Sequence, residues 1–216
     1  MADTDEEQIE ELKVWWKENG NSLVITVVVT LAIVFGFRAW QNSVADTAAA
    51  ASVLYENIAT AVGNAPVSSL SDEVLSSTRA LGNQLKTDYA DSTYAHFGAF
   101  YMAKIAVEKR EYETAEFELM WVLENNVSEL LEPVARMRLA SVLAAQNRAD
   151  EGLLALAVEI ELGAHAISWH ETQGDILYQM GNTSDARAAY QTAADLLGDA
   201  ARPLLKAKLQ DLTVLE

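Results

Sequence analysis

Three histidines, His96, His165 and His170, are the first candidates for acid–base or metal chemistry in this chain. On a helix, two imidazoles share a face when three or four residues separate them, but His165 and His170 lie five apart. Neither belongs to an HExxH pair, and the absence of cysteine removes thiolate ligands, a thiol nucleophile and disulfides. The sequence also lacks a GxSxG nucleophile elbow, a GxGxxG dinucleotide loop and a phosphate-cradling P-loop. Carboxylates are plentiful, but in runs such as Glu111–Glu118 helical spacing makes them a solvated face. The expectation is therefore no catalytic residue, no metal site, no cofactor and no small-molecule substrate. Binding is what remains.

Charge narrows the partners. The formal net charge is -17, and residues 44–216 alone carry 12 basic and 25 acidic groups. Such a field repels phosphate backbones, so no nucleic-acid partner is expected. Ala and Leu dominate while Pro and Gly are sparse, the composition of an all-α protein.

The elements that would present a binding surface start with an anchor. Ser22–Trp40 reads SLVITVVVTLAIVFGFRAW, with no charge from Leu23 to Phe37. As a helix its nineteen residues rise about 28 Å, close to the hydrocarbon thickness of a bilayer. Trp15 and Trp16 before the span, and Arg38 and Trp40 at its end, are the residue types that settle at the membrane interface. Ser43-Val44-Ala45 resembles a signal-peptide cleavage site, but the preceding segment is long and acidic where a signal peptide starts short and basic. An uncleaved transmembrane helix is the expectation. Lys13 and Lys17 on one side against Arg38 on the other favour a cytoplasmic N-terminus. Residues 4–18 read either as a short amphipathic helix, joined to the span through Asn19-Gly20-Asn21, or as a frayed acidic tail.

Past residue 45 the apolar rhythm is helical. A helix near Asp46–Val62, stopped by Gly63-Asn64-Ala65-Pro66, and a second from Ser71–Asp72 onward are expected to form a leading hairpin. Ala140, Leu143, Gly152 and Leu156 then recur as Gly174, Leu177, Ala186 and Tyr190 after 34 residues. Ala103, Ala106, Ala115 and Leu119 precede them by 37, the excess placed in the Asn125-Asn126 loop. A 34-residue period is that of the tetratricopeptide repeat, a helix–turn–helix unit. Small residues on the first helix (Ala103, Ala140, Gly174) should face small residues on the second (Ala115, Gly152, Ala186). Leu119, Leu156 and Tyr190 should fill the space against the next repeat. Turns are expected at Lys109-Arg110-Glu111, Gln146-Asn147-Arg148 and Gly181-Asn182-Thr183, with Gly181 ending a helix. Gly198 closes the last unit, and Arg202-Pro203 opens a capping helix with Leu205, Leu209 and Leu212 inward.

In such repeats the first helices line a concave groove. By register that gives Phe97, Phe100, Lys104 and Val107, then Val134, Met137, Ser141 and Ala144, then Ser168, Glu171, Asp175 and Tyr178. The candidate protein-binding residues are Phe97, Phe100, Lys104, Met137, Ser141, Glu171, Asp175 and Tyr178. The alternative for Phe97 and Phe100 is packing on the leading hairpin.

The lead-in Trp15-Trp16-Lys17-Glu18-Asn19-Gly20, the exit Phe37-Arg38-Ala39-Trp40-Gln41 and the segment Tyr94–Glu124 resemble the YfgM-like family, ancillary subunits of the bacterial SecYEG translocon. The likeness runs over essentially the whole chain. It implies a single-pass protein of the bacterial inner membrane with a cytoplasmic N-terminus and a periplasmic repeat domain. The implied partners are the SecYEG translocon and a PpiD-like membrane-anchored periplasmic chaperone, and the implied role is helping secreted chains as they emerge. The competing expectation is an envelope assembly or division scaffold that uses the same repeats outside secretion. The architecture expected is all-α, an N-terminal transmembrane helix followed by a tetratricopeptide-repeat-like α-solenoid. Its parts are a cytoplasmic segment 1–21, the span 22–40, a linker and leading hairpin 41–93, three degenerate repeats 94–200 and a capping helix 201–216.

Overall fold

The computed structural model describes residues 2–63, 65–197 and 203–214. Gly198 and Arg202, expected to close the last repeat and open the cap, lie outside the described residues, as does Asn64 in the first turn. Every regular element among those described is helical, and the chain divides into two compact units, Met1–Ala49 and Ala50–Glu216.

Helix α1 (Ala2–Val62) supplies the first unit and continues into the second. In the first unit its apolar stretch is exposed on all sides, from Leu23 at 43% to Ile33 at 67%. A surface this apolar is incompatible with water as its surroundings, and the helix is long enough to cross a membrane. Its hydroxyls are satisfied within the helix. Thr26 Oγ1 donates to the Ser22 carbonyl at 2.9 Å, and Thr30 Oγ1 to the Thr26 carbonyl at 2.8 Å. In hydrocarbon an unpaired hydroxyl has no water to turn to, so this back-bonding removes a cost of roughly 1–3 kcal/mol per group. The joint expected at Asn19-Gly20-Asn21 does not form, because α1 runs straight through it. Trp16 accounts for this. Its indole lies over Gly20, so that a Cβ there would sit 3.0 Å from the ring, and Asn19 Nδ2 donates back to the Trp15 carbonyl at 3.2 Å.

In the second unit the last turns of α1 end at Gly63, whose φ of 51° is the left-handed geometry that stops a helix. Helices α2 (Asp72–Asp88) and α3 (Thr93–Glu108) follow. The expected hairpin of α1 with α2 is replaced by a pairing of α2 with α3. Small residues decide this: Gly98 of α3 approaches Gly82 and Leu85 of α2, where a Cβ would meet Leu85 Cδ1 at 2.9 Å. Against α1, by contrast, α3 presents rings. Tyr55 packs on Tyr94, Phe97 and Tyr101 with centroids 5.6–5.9 Å apart, a spacing that keeps the backbones separated.

Three helix pairs then stack: α3 with α4 (Tyr112–Glu124), α5 (Glu132–Ala145) with α6 (Ala149–Leu156), and α7 (Ala166–Gln179) with α8 (Thr183–Leu197). Their turns are superimposable in sequence register. Arg110, Asn147 and Gly181 have φ of 61°, 63° and 79°. The next amide in each turn reaches back five residues, Glu111 N to Ala106 O at 2.8 Å, Arg148 N to Leu143 O at 2.9 Å and Asn182 N to Leu177 O at 3.0 Å. A second bond of shorter sequence span accompanies each, from the amides of Arg110, Asn147 and Gly181 to the carbonyl three residues back. This is the Schellman pattern, which satisfies orphan carbonyls at the helix end and reverses the chain. Its recurrence at shifts of 37 and 34 residues establishes the repeat geometrically.

Packing inside the pairs follows the small-residue expectation at one site and departs from it at another. Gly152 sits on the α5 backbone, where a Cβ would lie 2.7 Å from Ala140 O. Gly174 instead receives the ring of Tyr190 from its own repeat, so Tyr190 fills the space within the unit rather than against the next. Helix α6 stops after 8 residues where α4 runs 13. Residues 157–162 continue without regular structure, with Val158, Ile160 and Leu162 packed against the Trp169 cluster. Finally α9 (Pro203–Val214) buries Leu205 and Leu212 beside Tyr190 and Ala193, as expected of a cap.

Candidate protein-binding groove

In the second unit, α1, α3, α4 and α5 surround a groove of about 760 Å³. Tyr55 and Gly63 line it at the end of α1, and Leu131 with residues of α5 between Val134 and Ala145 also line it. Phe97, Phe100, Tyr101 and Val134 give it an apolar lining, and Lys104, Glu108, Arg138 and Ser141 supply its polar atoms.

The groove gathers four of the eight residues expected from sequence: Phe97, Phe100, Lys104 and Ser141. Phe97 and Phe100 serve two purposes. Phe100 is 7% exposed and belongs to the core cluster of α3, α4 and α5, while Phe97 packs on that cluster and on Tyr55. Met137 faces away. It packs with Trp169, Ala140 and Leu156 in the next cluster, as does Ala144. A helix stripe advances by three or four residues per turn, and on α5 the groove-facing stripe is Val134, Arg138, Ser141 and Ala145. From Val134 the expected three-residue step reaches Met137, whereas the four-residue step that faces the groove reaches Arg138.

The third repeat contributes nothing to this groove. Asp175 accepts from the Tyr190 hydroxyl at 2.7 Å and from Lys208 of the capping helix, which also lies 5.3 Å from the Tyr190 ring centroid. Burial and the Asp175 carboxylate push the Tyr190 hydroxyl pKa far up, which keeps the phenol a donor. Glu171 is half-buried, Tyr178 is 47% exposed, and neither borders the groove.

Electrostatics set the groove apart from its acidic chain. Arg138 lies over the Phe100 ring, its guanidinium carbon 4.6 Å from the centroid. Although the outer part of its side chain stays exposed, its apolar surroundings pull its pKa down. Among the described residues no carboxylate stands within ion-pair reach of Arg138. Lys104 makes only a long contact, 3.8 Å, with Glu108 Oε1, and Glu108 Oε2 accepts the Val67 amide at 2.9 Å. Tyr55 of the lining has its pKa raised by burial first and by its neighbours Tyr101 and Tyr94 second.

The histidines are dispersed. His96 is buried on α3, with Nε2 2.6 Å from the Asn125 carbonyl and its ring against Trp121. His170 Nδ1 lies 2.9 Å from Gln173 Oε1, and His165 precedes α7. Among the described residues no group of three His, Asp or Glu side chains is placed to hold a metal ion. The Glu111–Glu118 run is not uniformly solvated, contrary to expectation. Glu118 is buried, both its oxygens bonded to Lys86 Nζ at 2.7–2.8 Å. Trp15, Trp16, Arg38 and Trp40 are exposed on α1 at the ends of the apolar stretch, with Phe37 and Trp40 rings 5.8 Å apart.

Comparison with known proteins agrees with this geometry. Over 208 residues the chain is 26% identical to a protein of Haemophilus influenzae named ancillary SecYEG translocon subunit, covering 96% of this chain and 97% of that one. Proteins of the same name from Neisseria gonorrhoeae and Escherichia coli are also 26% identical, over 96% and 99% of this chain and 97% and 99% of theirs. No solved structure matches the chain. Residues 13–214 match the family described as tetratricopeptide repeat-like domain. The chain belongs to that family, among the YfgM-like proteins that its sequence resembles.

Proposed function

We propose that the protein is a membrane-anchored interaction module that associates with the SecYEG translocon through its inner-membrane span and its repeats. The observation that carries this reading is the end-to-end match to proteins named ancillary SecYEG translocon subunit, together with the tetratricopeptide repeat-like domain over residues 13–214. The groove between the first two repeats supplies the binding surface. It is of the size and apolar character that recognises part of a polypeptide.

The finer reading puts the N-terminus in the cytoplasm and the repeats in the periplasm. There a membrane-anchored chaperone of the PpiD type would share emerging secreted chains with this protein. Support comes from the lysines Lys13 and Lys17 before the span and from the resemblance described above.

A photo-crosslinking residue at Ser141, activated in native membranes, tests the proposal. Translocon subunits or a membrane-anchored chaperone should be recovered. Recovery dominated by cell-wall or division proteins would replace it with the scaffold reading, and no adduct at all from Ser141 or Lys104 would end it.

A further inference from the structure

This inference rests on the groove being the partner-binding surface, and it concerns what the groove recognises. Along α5 the groove wall reads Leu131, Val134, Arg138, Ser141, Val142 and Ala145. The guanidinium thus stands midway along an otherwise largely apolar wall. Its underside is covered by Phe100, and among the described residues no carboxylate answers it. Lys104, on the facing helix α3, lines the same groove with only the 3.8 Å contact to Glu108. Two cations line the groove against one carboxylate, Glu108, which already accepts the Val67 amide, so in a chain of net charge -17 the groove is locally complementary to an anion. Arg138 offers up to five donors in a planar fork, the geometry that pairs with a carboxylate through two parallel bonds.

We propose that the groove docks a polypeptide segment in which one Asp or Glu is flanked on both sides by apolar side chains, its carboxylate received by Arg138 with Lys104 beside it. The central position of Arg138 favours an internal acidic side chain over a chain terminus. A terminal carboxylate bound there would leave half of the apolar wall uncovered.

The test uses the full chain in nanodiscs of zwitterionic lipid. Three fluorescent peptides of about eleven residues are titrated: a capped Leu/Phe peptide with a central Glu, the same with a central Gln, and the Gln peptide with a free C-terminal carboxylate. The Glu peptide should bind roughly tenfold tighter than the capped Gln peptide, the usual worth of one charge-assisted pair. Arg138→Gln should abolish that preference, whereas Arg138→Lys should keep part of it. Among the described residues Arg138 makes no hydrogen bond that the fold depends on, and unchanged helicity of both variants verifies this. Equal binding of the two capped peptides, tighter binding of the free-carboxylate peptide, or no binding of any would each overturn the proposal. The crosslinking from Ser141 reports separately: adducts that form equally with Arg138→Gln would leave the translocon reading standing while the acidic-segment reading falls.

Discussion

At the scale of single residues, Lys86 and Glu118 form a deeply buried ion pair in the second unit. Their side chains are 9% and 4% exposed, and Lys86 also lies over the rings of Phe117 and Trp121 at 5.4 and 5.8 Å. Burial outweighs the pull of Lys86 and holds the Glu118 carboxyl above its ordinary pKa. Between the ordinary carboxylate range and that raised value, the folded chain keeps a proton that the unfolded chain has released. This part of the stability is therefore present at low pH and lost as pH rises through the window. Glu118→Gln should flatten the slope in urea melts taken across it. Glu118→Ala should cost about 3–5 kcal/mol, because Lys86 is left buried and unpaired. The double change Lys86→Met with Glu118→Leu should come within ~1 kcal/mol of the parent or exceed it; a loss as large as that of the single variant would show that the ion pair itself is stabilising. Sequence alone could not single out Glu118, since one carboxylate among several on an acidic helix carries no mark of its burial. Arg138 was hidden for another reason. Helical spacing leaves the choice between three and four residues to the neighbouring helix, and here Trp169 draws Met137 inward and leaves Arg138 to the groove.

At the scale of elements, the three left-handed turn residues show how far a pattern can be read. Gly181 is the usual helix stop and was legible. Arg110 and Asn147 occupy the same position without being glycine, so the matching turns showed only in the period of the surrounding Ala and Leu. Arg110→Gly should raise stability by about 0.5–1 kcal/mol, because a side chain in left-handed geometry is strained. Gly181→Ala should lower it by about 1 kcal/mol for the same reason. Thermal melts of the two variants should move in opposite directions, and a shared direction would mean the turns are not equivalent. The short α6 was legible in a different alphabet. From Ala157 to Leu162 exposed and half-buried residues alternate, a two-residue period that the helical reading passed over. The exchange of partners at the start of the solenoid was not legible, because Gly82 and Gly98 acquire meaning only when their helices are seen to touch.

At the scale of the whole molecule, anchor, repeats and cap were readable because each is a long periodic signal, whereas the groove depends on which faces meet. The orientation proposed for the membrane makes a plain prediction. A C-terminal alkaline phosphatase fusion should be active and a C-terminal green fluorescent fusion dark, and the reverse pair would put the repeats in the cytoplasm. The irregular stretch between α6 and α7 has a further consequence. The amides of Val158, Glu159, Ile160 and Glu161 find no backbone acceptor among the described residues, and both glutamates point outward. Like the 125–131 loop, this is a stretch where a protease can fit its substrate strand without first melting a helix. A brief digestion with a glutamate-specific protease should nick the chain at Glu159 or Glu161 before it cuts within any helix of the repeats. The two pieces should then travel together in a native gel, held by α7 against α5, and part only when denatured.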